Sequence, residues 1–202
     1  MLSGEIDGGH TTKFYRNNLS AANTPPSMPT GLIAEISGQN SDGIFTDVTD
    51  SMLDIITRGS TDFIDYDNDG DLDIFITGLG PSNKIAKLYR NSRGRFFEDT
   101  NNAFSGVYYS DASTGDYDND GDIDILITGD TGSIKIATLY LNTGGSFTED
   151  TSVSLTGVFN STGTFGDYDN DGDLDILIAG DTGSTKLTIL YRNNTPIANI
   201  SP

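Results

Sequence analysis

Residues 65–73 read DYDNDGDLD, residues 116–124 read DYDNDGDID, and residues 167–175 read DYDNDGDLD again. These three strings hold fifteen of the thirty acidic residues in a chain of 202. Two like charges about 5 Å apart repel by roughly 3 kcal/mol at an effective dielectric of about 20, so such crowding is unfavourable unless a hard cation absorbs the charge. Calcium takes about six to eight oxygens, and a loop with carboxylates at positions 1, 3 and 5 and a glycine at position 6 turns tightly enough to surround it. In the first loop Asp65, Asp67, Asp69 and Asp73 are expected to offer side-chain oxygens. Asp71 is expected to lend its backbone carbonyl and direct its carboxylate outward. Asp116, Asp118, Asp120, Asp122 and Asp124 repeat this arrangement, as do Asp167, Asp169, Asp171, Asp173 and Asp175. An EF-hand would need a glutamate at position 12, where this chain has Ile76, Ile127 and Ile178. A lone acidic turn is often only solvated, but three copies with identical glycine placement (Gly70, Gly121, Gly172) predict three Ca2+ sites.

The loops are evenly spaced, since 116 − 65 and 167 − 116 both equal 51. A fixed period of this size signals a solenoid, a propeller or an array. Each loop runs into a short apolar stretch (74–76, 125–127, 176–178) that ends at Gly78, Gly129 or Gly180, which reads as a strand with turn punctuation. A second strand is expected over 84–91, 135–142 and 186–193, and a third around Phe45, Phe96 and Phe147. A fourth short stretch leads into each loop, as in 162–166. Four strands per unit make a propeller blade.

The repeats resemble the FG-GAP or VCBS family of integrin-type propeller units, and Phe165-Gly166 ahead of Asp167 matches that family's leading FG. The resemblance implies an all-β, propeller-like array of four-stranded antiparallel blades, with a calcium loop after each inner strand. It also implies an extracellular protein used for adhesion, ligand binding or architecture. Such propellers commonly have about seven blades, and this chain has too few.

The ends of the chain are less regular. Gly4 to Tyr15 spans the same eleven steps as Gly78 to Tyr89, and the Tyr-Arg-Asn at 15–17 matches that at 89–91. Tyr15 to Phe45 is 30 residues where Tyr89 to Phe96 is 7, an excess of 23. The expected organisation is a partial blade or N-terminal arm over 1–23, a proline-containing linker or insertion over 24–43, three repeats over 44–194, and a C-terminal linker over 195–202. The last repeat lacks an outer strand, and either 44–49 or an arm from another molecule is expected to complete it.

Composition narrows the function classes. Formal net charge is −19, and nucleic acid, whose binding relies on basic side chains, is excluded as a partner. Cysteine is absent, so there is neither a disulfide framework nor thiol chemistry. No apolar run is long enough for a spanning helix, and the residues after Met1 lack the basic and apolar regions of a signal peptide. The single histidine, His10, has no repeat equivalent, and Glu98 and Glu149, with Asp47, occupy equivalent positions, which favours surface roles over acid/base chemistry. Tyr66, Tyr117 and Tyr168 are expected to pack between blades rather than stack on sugars. Asn18, Asn160, Asn193 and Asn199 begin glycosylation sequons.

The expectation is a non-enzymatic, calcium-binding structural or adhesive protein outside the cell or on its surface, self-assembling head to tail by strand complementation. The alternative is a glycan- or protein-binding propeller module of a larger surface or secreted protein. A third reading is the accessory domain of a secreted hydrolase.

Overall fold

The computed structural model describes residues 4–6, 9–11, 15–17, 45–47 and 53–194. They fall into two units, divided after Leu53. The first contains strands β1 (Gly4–Ile6), β2 (Gly9–Thr11), β3 (Tyr15–Asn17) and β4 (Phe45–Asp47). β1 pairs antiparallel with β2, and β3 with β4. The 24–43 linker and 195–202 lie outside the described residues, as do the sequons at Asn18 and Asn199.

Residues 45–47 pair with 15–17 of their own chain, in the register Tyr15↔Asp47 and Asn17↔Phe45. The same register occurs inside the first repeat as Tyr89↔Glu98 and Asn91↔Phe96. Backbone pairing therefore follows the repeat match read in the sequence, despite the extra residues between the two strands.

The second unit holds the repeats. β5 (Thr61–Ile64), β6 (Asp73–Leu79), β7 (Lys84–Ser92) and β8 (Arg95–Glu98) form one antiparallel sheet in chain order. β9 (Tyr108–Gly115), β10 (Asp124–Asp130), β11 (Lys135–Thr143) and β12 (Ser146–Glu149) form the second. β13 (Phe159–Gly166), β14 (Asp175–Asp181) and β15 (Lys186–Tyr191) form a third sheet of three strands. Register repeats with the sequence, through Ile74↔Tyr89, Ile125↔Tyr140 and Ile176↔Tyr191. Each of these sheets is a propeller blade, and every described element is a strand.

Packing explains why the second strand of each blade is apolar without alternation. A strand covered on both faces needs hydrophobic side chains at successive positions, and Ile74, Phe75 and Ile76 are all fully buried, as are Ile125, Leu126 and Ile127. Even-numbered and odd-numbered side chains serve different neighbours. Phe75 and Leu88 of the first blade meet Ile125, Ile127 and Tyr140 of the second in one core. Leu126 and Leu139 of the second blade then meet Ile176 and Ile178 of the third in another. Gly129 sits at the register shift between β9 and β10 of the second blade: its φ is 153°, and a Cβ there would lie 2.7 Å from the Ser110 Cβ of β9.

Candidate metal centre

Each acidic loop begins where the inner strand ends and finishes on the first residue of the next strand, so two strand ends fix its span. The turn between them needs left-handed backbone, which asparagine and glycine adopt at least cost. Asn68, Asn119 and Asn170 at position 4 have φ of 56°, 60° and 59°, and Gly70, Gly121 and Gly172 at position 6 have φ of 86°, 94° and 96°. The position-1 carboxylate folds the loop back on itself. Asp65, Asp116 and Asp167 each accept the N–H of the position-6 glycine at 3.1 Å.

Position 9 is the anchor. Asp73, Asp124 and Asp175 are almost wholly buried, and each uses both oxygens on backbone N–H groups. Asp124 accepts from Tyr117 at 2.7 Å and from Asn142 at 2.9 Å. Asp73 does the same with Tyr66 and Asn91, and Asp175 with Tyr168 and Asn193. Burial pushes Asp73 and Asp124 up to about 6 against those hydrogen bonds, and the neighbouring position-3 and position-5 carboxylates push the same way.

Three triads result: Asp65, Asp67 and Asp73; Asp116, Asp118 and Asp124; Asp167, Asp169 and Asp175. Within each, one oxygen per residue lies within 4.8 Å of the others. Asp65 Oδ1, Asp67 Oδ1 and Asp169 Oδ1 are shielded from solvent yet have no hydrogen-bond partner. An unpaired buried carboxylate oxygen is costly, and a hard cation ligated by oxygen relieves it. The donor set is all oxygen, with no imidazole or thiolate, and it fits calcium or a similar ion. The triad residues would hold that ion.

Positions 5 and 7 have a different placement. Asp69, Asp120 and Asp171 stand outside the triads and accept the position-7 N–H at 2.9, 2.9 and 3.2 Å. Two of the position-7 carboxylates, Asp122 and Asp173, join neighbouring blades. Asn68 donates to Asp122 at 2.6 Å, and Asn119 donates to Asp173 at 2.8 Å.

Sequence reasoning missed the asparagine of the Tyr-Arg-Asn segment and its counterparts. Asn142 donates to the Tyr66 carbonyl of the preceding blade at 2.8 Å and to Ile123 at 3.1 Å. Asn193 does the same to Tyr117 at 3.0 Å and Leu174 at 3.3 Å. Its recurrence at 51-residue spacing was the available signal. Asn193 is 7 % exposed, so that sequon cannot carry a glycan in the folded blade, whereas Asn160 is exposed.

Arg192 was also missed. Its guanidinium lies 2.9 Å from both Asp169 and Asp171, and its hydrogen bond holds Asp171 below the usual carboxylate range. The second loop has Leu141 at the same repeat position. The third triad alone among the described loops thus carries an internal counter-cation on its ligands.

Comparison with known families matches the FG-GAP-like repeat twice, over residues 65–127 and 116–178. The chain belongs to the FG-GAP-like repeat family. The two matches overlap by one loop and one strand, and together they span more than half of the 202 residues. No curated protein and no solved structure matches the chain. Within these FG-GAP-like repeats the loop tyrosines fall into two groups. Tyr66 is buried between blades, 6.2 Å from the Phe147 ring, with its hydroxyl donating to Asp99, and Tyr117 is partly buried in the next core. Tyr168 is 52 % exposed. Among the described residues no helix is long and apolar enough to cross a membrane.

Proposed function

We propose that this chain is a calcium-stiffened, non-enzymatic structural or adhesive module, working outside the cell or at its surface and assembling with copies of itself head to tail. The observation that supports calcium most directly is the threefold recurrence of a carboxylate triad, two of which hold buried oxygens with no hydrogen-bond partner. Without an ion each loop crowds five negative charges. With one, the loop ties the end of an inner strand to the start of the next and stiffens the blade at its rim.

A structural role is favoured over catalysis by how the shifted carboxylates are held. Asp73 and Asp124 spend both oxygens on backbone N–H groups, which leaves neither free to carry a proton to a substrate. A location outside the cell agrees with the ion: extracellular calcium modules work at about 0.1–1 mM affinity, levels of free calcium that the cytosol does not offer. Three bound divalent ions would bring the formal charge from −19 to about −13, so the surface stays acidic and soluble. Calorimetric titration with calcium tests the proposal, and a chain that takes up no calcium overturns it.

A further inference from the structure

We propose that the outward face of the third blade, built by Tyr168, Leu177 and Leu190, is a docking surface for the N-terminal strand pair β3–β4 of a second copy of this chain. The proposal rests on the self-assembly reading above and names the surfaces that carry it.

The face is recognisable because the molecule contains the same interface twice in finished form. Tyr66, Phe75 and Leu88 stand at the equivalent positions of the first blade and are 4 %, 0 % and 1 % exposed beneath the second. Leu126 and Leu139 of the second blade are 1 % and 2 % exposed beneath the third. Tyr168, Leu177 and Leu190 are 52 %, 41 % and 48 % exposed. Large apolar side chains clustered on one exposed face mark an interaction site.

The polar pattern around that face is unfilled in the same way. Asn68 and Asn119 each donate to a position-7 aspartate of the following blade, while Asn170 has no such partner among the described residues. The carbonyls of Tyr66 and Tyr117 each accept from an asparagine of the following blade, and that of Tyr168 accepts from none of the described residues. A complete partner brings a tyrosine and a phenylalanine for the apolar patch and an asparagine for the Tyr168 carbonyl, as Tyr140, Phe147 and Asn142 do for the first blade.

Among the described residues, one segment has that set to offer. Tyr140 and Asn142 are already seated between the first two blades, Asn193 between the last two, and Tyr89 is buried. The pairing of β3 with β4 reproduces the required register: Tyr15↔Asp47 and Asn17↔Phe45 correspond to Tyr140↔Glu149 and Asn142↔Phe147. Tyr15, Asn17 and Phe45 thus occupy the register positions of the three partner residues. β3 is already hydrogen-bonded to β4, so the contact is face to face and continues the blade stack, in place of adding a strand to an open edge. The two surfaces differ, so the contact is heterologous and propagates head to tail.

Sedimentation velocity on the full-length chain in millimolar calcium tests the proposal. The parent is expected to associate with rising concentration. Two variants each remove one surface: L177D/L190D at exposed positions of the third blade, and Y15A/N17A in β3. Each alone is expected to weaken association roughly a hundredfold or more, since apolar anchors dominate interface energy. Mixed in equal amounts, they are expected to form a dimer and nothing larger, because one intact pair of surfaces remains. A parent that stays monomeric, a variant that associates like the parent, or a mixture that stays monomeric overturns the proposal. Calcium uptake is measured on the same samples. Three equivalents bound with no association sink the docking surface and leave the calcium reading standing, whereas association without calcium uptake does the reverse.

Discussion

Replacing Asp124 with asparagine separates a metal ligand from a merely structural acid. The carboxylate is fully buried and accepts two backbone N–H bonds at 2.7 and 2.9 Å. Asparagine keeps the shape and one acceptor oxygen, so the lost hydrogen bond costs about 1 kcal/mol. Without calcium the charge itself is unfavourable, because burial, with Asp118 and Asp120 adding to it, pushes Asp124 up to about 6. Removing that charge near neutral pH returns about 1–2 kcal/mol after allowance for screening, and the two effects offset to within about 1 kcal/mol. With calcium present the variant also loses a site. At millimolar calcium and a dissociation constant of about 0.1 mM, that site contributes about 1.5 kcal/mol. Urea denaturation of parent and variant, each in calcium and in chelator, is therefore expected to show a cost about 1.5 kcal/mol larger in calcium. An equal cost in both conditions refutes the reasoning and makes Asp124 a structural residue only.

Asn142→Ala removes two donated bonds and the one its Oδ1 accepts from Gly145, and is expected to cost about 2–3 kcal/mol. Asn91→Ala removes one donated bond and one accepted bond and is expected to cost measurably less; equal losses of denaturation midpoint would contradict the inter-blade clamp. Arg192→Leu, which copies the second loop, is expected to tighten one calcium site severalfold in a titration, and unchanged affinities would show that the arginine does not compete. In chelator, stability is expected to fall as pH rises. Asp73 and Asp124 have folded values of about 6, as does Asp62 through burial and the nearby Asp111. Their stabilisation is full below the unfolded value near 3.8 and is lost as pH passes about 6. Calcium, which binds the ionised form, is expected to reverse that trend, and identical pH profiles in both conditions would sink the assignment.

Much of the site was legible in the sequence because it is local. Gly70, Gly121 and Gly172 and the alternating aspartates fix the turn by sequence spacing alone, and the fully apolar runs after them betray strands covered on both faces. The 51-residue period then gave the blades. The contacts that escaped are those between loops, which depend on how one blade sits on the next. Nothing in Asn68 or Asn142 taken singly announces a bond to Asp122 or to the Tyr66 carbonyl. The role of Arg192 was hidden for the same reason, because strand pairing alone brings residue 192 back to residues 169 and 171. The match of Tyr15 and Phe45 to Tyr89 and Phe96 was legible across the 23 extra residues, and the backbone register pairs the two strands accordingly. The division among loop tyrosines follows from position in the repeat array: Tyr66 is covered by the second blade, and Tyr168 lies on the last described blade and is exposed.

The central claim is that three acidic loops each hold one calcium ion, and calorimetric titration of the chelator-stripped, full-length chain tests it most directly. The account predicts about three equivalents of calcium, with each of Asp67→Ala, Asp118→Ala and Asp169→Ala, one from each triad, weakening or removing one. Binding of no calcium, or of a single equivalent untouched by these substitutions, would contradict it.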